Sequence, residues 1–245
     1  MRGVIVCILI AAGLGGCVSA KNADRARTRA DLGVAYFREG NTESAIATLR
    51  EAVDLDRRNW RAWNALGVAY VQKGESRLAE QAFDRALRAA PGEGEVLVTR
   101  GAFLVRNGRA HEGVRDFRAA LADLDYRNPA VVLSNLSYAL VLDGDPRQGA
   151  EVAREAVRRA PTLCEARYHL GFALERAGET SAAVAAYREH VARCPEVALG
   201  AKLQLGCMLS RTGDRVEGEA LLQEVLQGTS ATEAVRAARA CLEAP

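Results

Sequence analysis

"WNALGVAYVQKGESRLAEQAFDRALRAAP", residues 63–91, decides the fold. Trp63, Leu66, Gly67 and Tyr70 recur at steps of three and four, Gly74 interrupts them, Ala79, Phe83 and Ala86 resume the spacing, and Pro91 ends it. Steps of three and four place residues on one face of a helix, so the stretch predicts two amphipathic helices joined by a glycine turn. Outward from it, the small residue at Gly67 returns as Gly33, Gly67, Gly101, Ser137, Gly171 and Gly206, at steps of 34, 34, 36, 34 and 35. A second small residue keeps the same rhythm: Ala45, Ala79, Gly113, Gly149, Ala183 and Gly218. Two small positions per unit let the paired helices cross closely, where larger side chains would hold them apart. "REGN", "QKGE", "RNGR", "LDGD", "RAGE" and "RTGD" each put a glycine where the first helix of a unit ends. Pro91, Pro161 and Pro195 stand where the second helix must stop.

The spacing W-x2-L-G-x2-Y, A-x3-F, P in residues 63–91 resembles the tetratricopeptide repeat. That resemblance implies an all-α protein, an α-solenoid of six repeats over residues 26–228. A C-terminal capping helix is expected within residues 229–245, opened by a capping box of Ser230 and Glu233 and running over about residues 231–243. Its expected role is to cover the apolar face that the last repeat would otherwise expose.

Ahead of the repeats, "MRGVIVCILIAAGLGGC" carries one charge at Arg2 and none from Gly3 to Gly16. A basic start, an apolar middle and small residues before a cut form a secretory signal pattern, too short to span a bilayer. "LGGC", residues 14–17, resembles the lipobox of bacterial lipoproteins. It implies that residues 1–16 are removed and that Cys17 is lipidated, leaving residues 17–25 as anchor and spacer. Several acyl chains at about 0.8 kcal/mol per buried methylene would hold such a protein on a membrane.

Composition excludes more than it assigns. With 33 basic and 31 acidic residues the chain is nearly neutral, which gives no electrostatic argument for nucleic acid. His111, His169 and His190 lie far apart in sequence, and none belongs to a paired-histidine zinc motif, so no metal is expected. "PGEGEVLVTRG" lacks the preceding strand and the Lys-Ser/Thr of a phosphate cradle and reads as an inter-repeat turn. No G-x-S-x-G elbow and no Cys-x-x-Cys occurs. The expectation is therefore a binding protein, not an enzyme, with no cofactor and no small-molecule substrate.

In the tetratricopeptide family the concave face is supplied by repeat positions 2, 5, 9, 12 and 13, mostly on the first helix. Carried onto this sequence, those positions give Val34, Phe37, Asn64, Val68, Val71, Val98, Ala102, Val105, Val131, Tyr138, Val141, Tyr168 and Phe172. Such a largely apolar trough suits an amphipathic or greasy segment of a partner protein. The alternative for each residue is internal packing. A clamp for acidic tails would need adjacent basic residues, whereas Arg27, Arg38, Arg61 and Arg106 are dispersed.

Residues 121–145, "LADLDYRNPAVVLSNLSYALVLDGD", contain the step that is two residues longer than the rest. With the lipobox, the six repeats and the last helix, this junction resembles the type IV pilus pilotin lipoproteins, the Tgl, PilF and PilW group. The paired cysteines of "APTLCEARYHLGFAL" and "ARCPEVALGAKLQLG" look most like the Tgl branch. The resemblance implies an outer-membrane lipoprotein facing the periplasm that binds secretin subunits and promotes their assembly. Two other readings stay open: a scaffold lipoprotein of another secretion or tight-adherence pilus system, and an accessory of a cell-wall enzyme. Cys164 opens one helix of the fifth repeat and Cys194 closes its antiparallel partner, so a disulfide is expected between them, in keeping with an oxidising compartment. Cys207 pairs with Cys241 or is a small buried packing residue.

Overall fold

A computed structural model describes residues 20–123, 126–212 and 214–243, and among them the fold is helical throughout. Thirteen α-helices follow one another: α1 (Ala20–Arg38), α2 (Thr42–Leu55), α3 (Trp60–Gln72), α4 (Ser76–Ala89), α5 (Gly94–Arg106), α6 (Ala110–Leu121), α7 (Pro129–Leu142), α8 (Pro146–Arg159), α9 (Cys164–Arg176), α10 (Thr180–Arg193), α11 (Leu199–Thr212), α12 (Arg215–Gly228) and α13 (Thr232–Glu243). A short 3-10 helix, Pro195–Val197, lies between α10 and α11.

The chain divides between Ala89 and Ala90 into two compact units. In the first, α1 packs on α2 and α3 on α4, and α3 also touches α1 and α2. In the second, the pairs α5–α6, α7–α8, α9–α10 and α11–α12 stack in order, and α13 closes on α11 and α12.

Local sequence explains the boundaries. Gly40, Gly74, Gly108, Gly144 and Gly178 end the first helix of their repeats with φ between 77° and 95°, in the left-handed region where a Cβ is strained. Side chains cap the following helices: Asn41 accepts from the Ser44 amide at 3.1 Å, and Asp145 from that of Gln148 at 3.0 Å. Pro129 and Pro146 occupy first-turn positions, where a missing N–H costs nothing.

The close crossing predicted from the small residues is present. A Cβ placed on Gly67 would lie 2.5 Å from the Phe83 ring, on Gly33 2.6 Å from Leu49, on Gly171 2.6 Å from Tyr187 and on Gly206 2.8 Å from Leu222. Each glycine thus seats the large residue sixteen positions later, and Phe83, Phe117, Tyr187, Leu49 and Leu222 are among the largest fully buried side chains. The fourth repeat exchanges the volumes. Ser137 replaces the glycine, and Ala153, sixteen residues on, replaces the large partner; both are wholly buried. The Ser137 hydroxyl makes no hydrogen bond there.

One boundary and one cap differ from the expectation. α1 begins at Ala20, so residues 20–25, expected as spacer, are helical. "AKNADR" contains neither glycine nor proline to stop a helix that the repeat beyond it already nucleates. The last helix starts at Thr232, and the hydroxyl that serves its entry is that of Thr229, which accepts from the Ala231 amide at 3.0 Å, in place of Ser230.

Candidate functional site

The thirteen groove candidates lie on first helices: Val34 and Phe37 on α1, Asn64, Val68 and Val71 on α3, Val98, Ala102 and Val105 on α5, Val131, Tyr138 and Val141 on α7, Tyr168 and Phe172 on α9. Ten of them are half-buried, which leaves part of each side chain available. The other three are core: Asn64 at 4%, Val105 at 7% and Val141 at 6% exposure.

The two valines sink for a common reason. Gly113 and Gly149 follow them by eight residues, and a Cβ on either glycine would come within 2.5 Å of Val105 Cγ2 or 2.9 Å of Val141 Cγ2. The missing methyl is the valine's seat. In the second repeat the equivalent residue is Ala79, and Val71 stays half-exposed. Ser210 sits against Gly218 in the sixth repeat as the valines do against their glycines.

What remains on α7 and α9 is an aromatic cluster. Tyr138 stacks on His169 with centroids 5.2 Å apart and lies 5.6 Å from Phe172, while Tyr168 contacts His169, Tyr187 and His190 at 6.1, 5.9 and 5.8 Å. Offset and tilted rings at these separations attract beyond simple area burial. Beside Tyr138 a hollow of about 110 Å³ is lined by Ala102, Val105, Arg106, Phe117 and Asn135.

The sequence offered no reason to single out His169. Its Nδ1 lies 2.9 Å from the Ser134 carbonyl oxygen and 2.9 Å from the Ser134 hydroxyl. A carbonyl only accepts, so the proton sits on Nδ1 and the ring faces Tyr138 in that tautomer. Burial holds the imidazole below its ordinary value, against the opposing pull of the Ser134 backbone bond and of Glu165, so the stack on Tyr138 is between neutral rings. Burial likewise pushes the Tyr168 phenol up, with Glu175 adding to it. Tyr187 donates to Glu175 Oε2 at 2.9 Å.

Both cysteine pairs are closed. Cys164 and Cys194 form a disulfide with Cα atoms 5.9 Å apart, and Cys207 and Cys241 form another, 5.2 Å apart, which resolves the alternative left open for Cys207. Among the described residues no group of three His, Cys, Asp or Glu side chains is arranged to hold a metal ion, and no helix is long and apolar enough to cross a membrane. Cys17 lies outside the described residues.

The tetratricopeptide repeat family profile matches residues 30–94 and 135–198. The chain is 31% identical over 168 residues to the type IV pilus assembly protein PilF of Pseudomonas aeruginosa, an alignment covering 64% of this chain and 66% of that protein. It is 41% identical over 68 residues to the chloroplast tetratricopeptide protein PYG7 of Arabidopsis thaliana, of which that alignment covers 23%. The solved structure of Pseudomonas aeruginosa PilF superposes with a TM-score of 0.76 at 22% identity, over 90% of this chain and 99% of that one. That of PilW, described as a widely conserved type IV pilus biogenesis factor, gives 0.79 at 21% identity, over 86% and 96%. These two establish the shared fold.

Proposed function

The chain belongs to the tetratricopeptide-repeat family and is related to the PilF and PilW pilus proteins, and from that premise we propose that it is a pilotin of the outer membrane: a lipoprotein that binds secretin subunits and promotes their assembly for type IV pilus biogenesis. What supports this most is the 31% identity to a type IV pilus assembly protein over 168 residues. The role is escort and assembly, carried by surface complementarity and not by catalysis.

In this reading the partner segment lies on the first-helix face of the second unit, against Tyr138, Tyr168 and Phe172, while Val34, Phe37, Val68 and Val71 belong to the first-helix face of the first unit. Half-buried aromatics are the side chains that most often dominate an interface, because they bring large rigid area at little entropic cost. Tyr138→Ser and Phe172→Ser are each expected to weaken capture of secretin by about 1–3 kcal/mol. Co-purification from envelope extracts measures it, with helicity and melting followed in parallel. Variants that stay folded and still support heat-resistant secretin multimers in cells would place the contact elsewhere on the molecule.

The anchor is part of the same proposal. α1 starts at Ala20, three residues after Cys17 in sequence, so lipid on Cys17 would leave a leash of at most about 11 Å at 3.6 Å per residue. The array would then ride against the membrane on its periplasmic face, with the two disulfides suiting that oxidising compartment. Mass spectrometry of the mature chain is expected to find an acylated N-terminus at Cys17, and Cys17→Ser to release the protein from membranes or leave it unprocessed. An unmodified N-terminus at another residue would remove the lipoprotein from the reading.

A further inference from the structure

A second cavity, of about 540 Å³, opens at the edge of the fifth repeat where the start of α9, the end of α10, the 3-10 helix and the start of α11 converge. Its walls are apolar and aromatic: Leu163, the ring of Tyr168, and Val197, which is 58% exposed. Gly200 lies beside that ring, close enough that a Cβ there would sit in van der Waals contact with it, 3.4 Å from Tyr168 Cε2. The two histidines in the wall are turned to the backbone, His190 Nδ1 toward the Cys164 carbonyl at 3.1 Å and its Nε2 toward that of Val197 at 3.5 Å. His169 is occupied by Ser134.

Glu165 and Glu196 line this cavity, and no lysine or arginine does. The one ring in its wall whose two nitrogens both face carbonyl oxygens is His190. Several carboxylates elsewhere are paired with arginines, Glu155 with Arg158 and Arg159, Glu112 with Arg109 and Glu217 with Arg188. Glu165 and Glu196 enter no ion pair among the described residues. Burial keeps His169 neutral, so it does not offset Glu165. The wall is also fixed, since Cys164 is bonded to Cys194 beneath it.

An apolar, aromatic hollow with unneutralised carboxylates complements one kind of side chain, a cation on an apolar stem. A guanidinium lies flat on a tyrosine ring and can reach carboxylates at its edge, whereas a bare metal ion or a small amine would leave the apolar walls unfilled. The volume falls in the range of peptide and ligand pockets, larger than a single ion needs. We propose that this cavity receives an arginine side chain, flanked by apolar residues, from an extended segment of a partner protein, with Tyr168 under the guanidinium and Glu165 and Glu196 at its rim. The site shares Tyr168 and His169 with the aromatic cluster of the first-helix face and stands whether or not the partner is a secretin.

The test uses the mature chain and three acetylated pentapeptide amides of sequence Ala-Leu-X-Leu-Ala, with arginine, glutamine or glutamate at X, titrated by NMR. The arginine peptide is expected to saturate, moving the Gly200 amide and the Tyr168 ring resonances, and the glutamate peptide to bind at least about tenfold more weakly. The double variant Glu165→Gln/Glu196→Gln is expected to weaken the arginine peptide by about fivefold or more, while Glu151→Gln/Glu233→Gln, with the same change in net charge at exposed positions, leaves it unchanged. The proposal is overturned by equal binding of the three peptides, by shifts that bypass Gly200 and Tyr168, or by equal weakening in both double variants. It is also overturned if the cavity resonances shift with protein concentration alone, which would make a second copy the occupant.

Discussion

Phe83→Ala lowers the stability of the first unit by about 3–5 kcal/mol, the range for emptying a fully buried phenylalanine site. Phe83 is 1% exposed and rests on Gly67, where no Cβ stands in its way. Gly67→Ser alone is expected to cost about 1–3 kcal/mol, because the added atoms meet the ring at 2.5 Å and a ring cannot fold aside as a flexible chain end does. The double variant is the informative one. Gly67→Ser/Phe83→Ala copies into the second repeat the arrangement that the fourth repeat already carries as Ser137 and Ala153. It is expected to be more stable than the sum of the single losses predicts, by about 1–2 kcal/mol, since each change vacates what the other fills. Urea unfolding followed by circular dichroism measures all three proteins. Strict additivity would mean that the two positions do not trade volume.

Opening the Cys164–Cys194 bridge, by Cys164→Ser/Cys194→Ser, is expected to destabilise the second unit by about 3–4 kcal/mol. The two cysteines are 30 residues apart, and the chain-entropy estimate for a closed loop of that size falls there. The Cys207–Cys241 bridge, with a separation of 34, carries a similar entropic term but a different local consequence. Of the residues of α13 only Ala238 is buried, so the covalent tie to α11 is a large part of what keeps that helix seated. Reduction is expected to speed hydrogen exchange across α13 first, and to leave α1 to α4, which contain no cysteine, unaffected. Equal melting with and without reductant would contradict both expectations.

The repeat register was legible because it is written in small residues. Gly67 and its counterparts, the turn glycines and the three prolines sit where steric necessity puts them, and α2 to α12 follow. The start of α1 was not, because a helix extends through any sequence without a breaker, and nothing in "AKNADR" says stop. The groove was legible as positions and not as exposure. Val105 and Val141 carry the same residue type as Val71, and only the glycine eight places later decides that they sink. The comparison of Gly113 and Gly149 with Ala79 was in the sequence, but its meaning needed the packing. The cavity beside Glu165 and Glu196 had no sequence signature, since its walls come from the ends of several helices that meet only when the repeats stack. His169 was passed over because a lone histidine on a helix is ordinarily a packing residue, and its role as a ring partner for Tyr138 depends on a neighbouring repeat.

α7 carries no charged residue in its fourteen, and it is wrapped by α5, α6, α8 and α9. Inside the intact chain that greasiness is harmless. A cut between α6 and α7 would make this helix the new front end of the downstream piece, with the face that α5 and α6 had covered turned to water. Such a fragment would aggregate, or be cleared by proteases, well before its remaining repeats lost their fold. The protein therefore tolerates shortening from its ends far better than division in the middle, and any domain boundary chosen for expression should keep α5 through α9 together.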